Sequence, residues 1–202
     1  MRTLILDNYD SFTYNLFHYV EKQCDDSDQI DVVRNDEINV EKAMEYDNII
    51  LSPGPGLPSE SGIMNALLLD TRSQIPILGI CLGHQAIAEA DGCKLEMLIK
   101  PLHGYEGETE IINKESPLFK GINSNIHTGH YHSWVISKKE ISSGINIDAI
   151  GENGEIMAIS HKTSPRFGIQ FHPESIMTGE GDKIISNWIA FCKNHIQKHV
   201  LK

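Results

Sequence analysis

The chain has 202 residues, 40% of them hydrophobic, with 16 glycines, enough for one core that buries roughly 70% of the unfolded chain's surface without staples. Seventeen basic against 28 acidic residues leave a formal net charge of −11, and no basic stripe offers itself to a phosphate backbone, so nucleic acid is excluded as a partner. The longest apolar stretch, 75–82, is interrupted by Pro76 and Gly79 and falls far short of the roughly 20 residues of a membrane span; the sequence reads as one domain over 1–202 that stays out of the membrane.

Met1-Arg2 runs directly into the strand pattern of residues 3–6. So short an apolar run without a small-residue cleavage site is no signal peptide, and the chain is expected to be cytoplasmic. Asp10 or Ser11 is placed to cap a helix whose apolar face is Phe12, Leu16 and Val20, ended by the polar residues 24–28. Residues 30–33 form a second strand, 40–45 a short helix, and 48–51 a third strand that runs into the turn-rich segment 52–58. A helix near 62–69 precedes 76–80, a buried-strand pattern that breaks at Cys81 into a helix carrying Leu82, Ala86, Ile87 and Ala90. Gly92 suits the C′ position of that helix.

Beyond residue 93 the texture changes to closely spaced strands at about 108–112, 130–136, 147–150, 156–160 and 166–170, which read as an antiparallel extension. A last helix carries Ile185, Trp188, Ile189, Cys192 and Ile196 at helical spacing, making Cys192 a core residue. The expected class is α/β, with an open, mostly parallel central sheet flanked by helices and a smaller antiparallel extension.

Four cysteines, at 24, 81, 93 and 192, are too dispersed for a disulfide framework or a zinc site. Gly79-Ile80-Cys81-Leu82-Gly83 differs from the others: it has the nucleophile-elbow form and falls at a strand-to-helix junction, the context that form requires. The helix beginning after Cys81 sets free N–H groups and positive partial charge beside the sulfur, favouring thiolate, and the Leu82 N–H is placed to stabilise an oxyanion.

A cysteine nucleophile needs a base and an orienter, and Phe171-His172-Pro173-Glu174-Ser175 offers both. Pro173 biases His172 towards extended backbone, where residues two apart point the same way, so Glu174 is expected beside the His172 ring. Gly54-Pro55-Gly56 follows the third strand; alone it is a Pro/Gly turn, and beside an elbow it is the natural second half of an oxyanion hole. It lacks the spacing of a dinucleotide loop, and no phosphate-binding P-loop occurs in the chain.

GICLGHQAIAEA at 79–90, SPGPGLPSESG at 52–62 and FGIQFHPES at 167–175 resemble the three signatures of class I, triad-type glutamine amidotransferases. LDNYDSFTYNL at 6–16, HG at 103–104 and YHSWV at 131–135 narrow the resemblance to the glutaminase component of anthranilate synthase and aminodeoxychorismate synthase. The resemblance implies a flavodoxin-like fold and glutamine hydrolysis by Cys81, with His172 as acid and base and Glu174 orienting it. Gly56 and Leu82 match its oxyanion-hole positions, Pro55 belongs to the same loop, and Gly54, Gln85, Ser133 and Trp134 fall where the family contacts the substrate's amino-acid end. It further implies delivery of ammonia to a chorismate-binding synthase subunit, docked partly through residues 8–13. Chorismate and magnesium belong to that partner, and this chain is assigned no cofactor and no metal.

The chain departs from the family pattern at two positions. Tyr105 stands where a lysine usually follows HG, and His130 where an arginine often precedes YHS; neither belongs to the triad, and no partner contact is carried over there. His127, His130 and His132 lie close in sequence without a carboxylate or cysteine beside them, and His195 and His199 share a helix face without the glutamate of a zincin motif, so neither set is read as a metal site. The rival readings are a stand-alone γ-glutamyl cysteine hydrolase, a non-catalytic partner-binding module, and a triad amidotransferase of purine, pyrimidine or histidine synthesis, which the opening 6–16 fits less well.

Overall fold

The computed structural model describes residues 1–70 and 74–200, leaving aside the side chains of 199 and 200. Its elements in chain order are β1 (Arg2–Asp7), α1 (Thr13–Glu21), β2 (Gln29–Arg34), α2 (Val40–Ala43), β3 (Asn48–Leu51), α3 (Met64–Leu69), β4 (Ile77–Ile80) and α4 (Leu82–Ala90). There follow β5 (Leu95–Ile111), β6 (Asn125–Ile136), β7 (Ile145–Gly151), β8 (Ile156–His161), β9 (Arg166–Ile169) and α5 (Gly181–Val200).

One sheet runs in the order β2-β1-β3-β4-β9-β8-β7-β5-β6. It is parallel from β2 to β9 and antiparallel from β9 onward. The parallel half is covered on both faces, which is why β4 and, after Asn48, β3 read as apolar runs. Alternation then decides which helix each residue meets. Leu4, Leu6, Ile49 and Leu51 pack with Met64, Leu67, Ala86 and Ile87 of α3 and α4, while Ile5 and Ile50 pack with Leu16 and Val20 of α1 and Trp188 of α5. Cys192 lies in that second layer, fully buried.

The chain leaves β1 for β2 on one side and returns to β3 on the other, so a crevice opens at the carboxyl ends of the parallel strands. The segments following β1, β3, β4 and β9 all emerge there. Among the described residues, no helix is long and apolar enough to cross a membrane.

Several local expectations are corrected. Neither Asp10 nor Ser11 caps α1: its N-cap is Phe12, without a side-chain bond. Asp10 instead accepts the Phe12 N–H (2.8 Å), and Asp7 Oδ1 accepts the Asp10 N–H and the Thr13 hydroxyl. Phe12 is 41% exposed, since as the N-cap it lies outside the helical turns that carry Leu16 and Val20 into the core, and it rests against the Tyr131 ring at 5.8 Å. The helix expected over 40–45 is only four residues long, started by the Asn39 side chain accepting the Lys42 N–H.

The strand expected at 108–112 begins instead at Leu95. Pro101 and Gly104 hid its exposed first half, which long-range pairing with β6 holds through two register shifts. Finally, β9 belongs to the parallel half: it pairs parallel with β4, Gly79 opposite Gly168, and only its other edge is antiparallel. That position sets residues 170–174 beside the end of β4.

Candidate active site

Cys81 joins β4 to α4 with φ +51° and ψ −97°, a strained backbone for a residue with a side chain. Its neighbours explain why it persists. A Cβ at Gly79 would stand 2.3 Å from the backbone of Gly83, and one at Gly83 would stand 2.6 Å from Leu51, so both flanking positions must be glycine for helix and strand to meet this closely. The Cys81 N–H donates to the Ile169 carbonyl (2.8 Å) and its carbonyl accepts from Gln85 (3.1 Å), which ties the elbow to β9 and to the first turn of α4.

His172 and Glu174 follow β9 in a turn rather than in the extended run expected, closed by the Ser175 N–H to the His172 carbonyl (3.2 Å). Thr178 secures the turn, its hydroxyl donating to the His172 carbonyl (2.6 Å) and accepting the Gly129 N–H (3.0 Å). The expected contact forms all the same: His172 Nδ1 lies 2.6 Å from Glu174 Oε1, both side chains buried. An Nδ1–H donated to the carboxylate leaves Nε2 as the free ring nitrogen, and Nε2 is buried without a hydrogen bond inside the protein. Burial is the largest single influence on this imidazole and opposes its charge, yet Cys81 and Glu174 together outweigh it and hold the pKa well above the usual histidine value. Tyr131 packs edge-on against the ring at 5.0 Å.

Gly54, Pro55 and Gly56 line one cavity of about 210 Å³ together with Cys81, Leu82 and Gln85. The strand-end residues Ser133 and Trp134 complete its wall, with Tyr131 and His132. The loop is held from below: the Asn8 N–H donates to Ser52 Oγ (2.8 Å), its side-chain amide to the Ser52 carbonyl (2.9 Å), and its Oδ1 accepts from Asn35 (2.9 Å). Gly54 is required because a Cβ there would lie 2.5 Å from the Asn8 carbonyl oxygen, and Gly56 because its φ is +76°. A second cavity of about 250 Å³ is lined by Phe12, Tyr131, His172, Glu174 and Ile176. Tyr131 borders both.

Sequence reasoning passed over Gln170. It is fully buried, and its Nε2 lies 3.5 Å from Cys81 Sγ. Its signal was present, since it is the lone amide in the otherwise apolar run Phe167 to Phe171. Two of the histidines weighed as a metal group form an inward pair on β6: His132 Nδ1 donates to the Trp134 carbonyl (3.1 Å), so its Nε2 accepts from His130 Nδ1 (3.3 Å). Burial pushes His130 and the fully enclosed His84 down to about 4 and His132 to about 3. His127, an odd number of residues away, lies on the opposite face of the strand near Glu106 (3.6 Å), so the three histidines do not converge. The His195 ring lies tilted beside Phe191 at 5.9 Å, and the side chain of His199 lies outside the described residues. The two departures meet: Tyr105 and His130 are register partners across β5 and β6 with rings 6.2 Å apart, lining a cavity of about 380 Å³ that does not contain Cys81.

The model of the family described as glutamine amidotransferase class-I matches residues 4–191. The chain belongs to that family. The bifunctional protein TrpGD of Thermotoga maritima is 40% identical to this amidotransferase over 98% of the chain, which spans 33% of that relative's length. The aminodeoxychorismate/anthranilate synthase component 2 of Bacillus subtilis is 38% identical over 96% of the chain and 98% of its own length. Among solved structures, a candidate GMP synthase subunit from Thermoplasma acidophilum superposes with a TM-score of 0.86 at 25% identity, covering 98% of this amidotransferase and 97% of that chain. The α/β sheet flanked by helices is therefore the family's fold, with the antiparallel strands continuing the same sheet.

Proposed function

We propose that this amidotransferase is the glutaminase component of a two-component synthase, releasing ammonia from L-glutamine for a chorismate-using partner. The observation that carries the reading is the convergence of Cys81, the His172–Glu174 pair and the cavity lined by Gly54, Gly56, Leu82 and Gln85 at the carboxyl edge of the sheet. Cys81 gives its thiol proton to His172 Nε2 as Sγ attacks the side-chain amide carbon, and the Gly56 and Leu82 N–H groups take the oxyanion that forms. As the C–N bond breaks, His172 Nε2 gives a proton to the departing ammonia; it then takes one from the water that cleaves the γ-glutamyl thioester to glutamate and restores Cys81. Glu174 holds Nδ1–H throughout and keeps the tautomer that leaves Nε2 free.

Tyr9, Phe12 and Ile176 are exposed (51%, 41% and 96%), and the last two line the 250 Å³ cavity beside the triad. These apolar side chains support docking of the synthase component over the segment 8–13, with that cavity facing the partner.

The test mixes the purified chain with each chorismate-converting synthase component of its source organism, adding chorismate, magnesium and glutamine, and identifies the aromatic product. Anthranilate with one partner, aminodeoxychorismate with the other, or both, assigns the pathway; Cys81→Ala is expected to abolish synthesis from glutamine while synthesis from free ammonia continues. Retained glutamine-dependent synthesis in Cys81→Ala overturns the triad, and failure with both partners despite free glutaminase activity turns the reading to a stand-alone hydrolase.

A further inference from the structure

We propose that Gln170 is a positioning residue for the nucleophile: its side-chain N–H, aimed by Gln85, holds the Cys81 sulfur in place and favours its thiolate form. The inference rests on Cys81 being the nucleophile, as argued above.

The orientation follows from a chain of donors and acceptors that starts at the Trp134 carbonyl. A carbonyl only accepts, and Gln85 meets it at 2.8 Å, so Gln85 must present its nitrogen there. The same nitrogen lies 3.2 Å from the Gln170 side chain, and an amide nitrogen has no lone pair to offer, so the facing atom of Gln170 is its oxygen. The Gln170 nitrogen is thereby turned towards Cys81 Sγ at 3.5 Å. The His132 Nδ1–H fills the other side of the Trp134 carbonyl at 3.1 Å, and the pKa near 3 keeps His132 in the neutral form whose single ring N–H is committed there. No member of the chain has freedom to reverse.

Chemistry gives the arrangement its consequence. An N–H bond to a charged sulfur is roughly twice as strong as one to a neutral thiol, so a buried donor fixed on Sγ favours the thiolate. Burial sharpens this, for Gln170 is fully buried and its side-chain N–H acts away from bulk solvent. One strand end thus approaches the sulfur twice, with the amide of Gln170 and the ring of His172, while the Ile169 carbonyl fixes the Cys81 backbone. The titratable groups about the sulfur are His172 with Glu174 behind it; the buried histidines His84, His130 and His132 form the next layer and are neutral at neutral pH.

The experiment measures the rate of Cys81 alkylation by iodoacetamide, itself a small amide, against pH on the full chain and on Gln170→Met, which keeps the side chain's length and removes the donor. The thiols of Cys24, Cys93 and Cys192 are all pushed up by burial, so labelling near neutral pH reports Cys81. The alkylation midpoint is expected to rise by about one pH unit in Gln170→Met, that is, roughly tenfold less thiolate at any pH below it. A filler of space would leave the midpoint where it was, and a folded Gln170→Met with an unmoved midpoint overturns the proposal.

A second measurement needs no substitution at 170. In the unaltered chain the side-chain NH2 resonance of Gln170, assigned through its own backbone, is expected to shift with the Cys81 titration and to stop doing so in Cys81→Ala. A resonance indifferent to that titration overturns the proposal. If Cys81 of the unaltered chain is alkylated no faster than the other three thiols at any pH, the nucleophile itself is wrong and the proposed function falls first.

Discussion

His172 Nδ1 and Glu174 Oε1 lie 2.6 Å apart in a turn buried from solvent, so the imidazole's tautomer is set by a carboxylate two residues away in its own chain. Glu174 touches no reacting atom in this arrangement. His172→Ala is therefore expected to lose more glutaminase turnover than Glu174→Gln, by roughly a hundredfold, as base and orienter differ in serine triads. Steady-state glutaminase assays of both variants check this, and an equal loss would give Glu174 a share in the chemistry.

The buried histidines also predict how stability varies with pH. His172 has a raised folded pKa, so its contribution is complete below its unfolded value near 6.5 and is lost as pH rises through the folded value. His84, His130 and His132 are depressed to about 4, 4 and 3, so the folded chain refuses protons the unfolded chain accepts, and stability falls as pH drops from about 6.5 towards those values. Tm should peak near pH 6.5. Scanning calorimetry across pH 4–9 checks it: Glu174→Gln should flatten the alkaline limb and His130→Gln the acid limb, and a Tm still climbing above pH 8 would contradict the assignment.

Two glycines separate backbone conformation from close packing. Gly92 ends α4 with φ +90° and open space where a Cβ would sit, its N–H bonding Glu89 and that of Cys93 bonding Ala88. Gly92→Ala should cost about 1 kcal/mol, or ~3 °C of Tm, with Cys81 reactivity unchanged. Gly83→Ala drives a methyl to within 2.6 Å of Leu51, parting α4 from β3, and should cost roughly 3–10 °C and slow Cys81 alkylation as well. Thermal melts with parallel alkylation rates distinguish the two.

Asn8 connects the first strand to the loop carrying Gly54 and Gly56. Asn8→Ala strands the Ser52 carbonyl and the Asn35 amide in the interior, at a cost of about 1–3 kcal/mol. The loosened loop should raise KM for glutamine more than it lowers kcat. A fall in kcat at unchanged KM would place the effect on the triad instead.

Much of this site is legible from sequence because its requirements are local. The elbow at Cys81 is a question of which residues tolerate a tight strand-to-helix turn, and the glycines at 79 and 83 answer it within five positions. His172 and Glu174 are two residues apart, a separation that extended backbone and this turn both bridge, so the contact forms although the backbone is a turn rather than a strand. The apolar periods of β3, β4 and α4 follow from burial on one or both faces.

What only the tertiary structure decided is set by partners far away in the chain. The position of β9 against β4, and hence the delivery of His172 to Cys81, depends on pairing between residues such as Gly79 and Gly168. The first half of β5 exists because β6 lies beside it. The polarity of the Gln85–Gln170–Cys81 chain joins residues 85 and 89 positions apart, where no periodicity or motif spacing carries information. Local sequence determines the shape each segment can adopt; which donor faces which acceptor is decided when the sheet closes and water leaves the crevice.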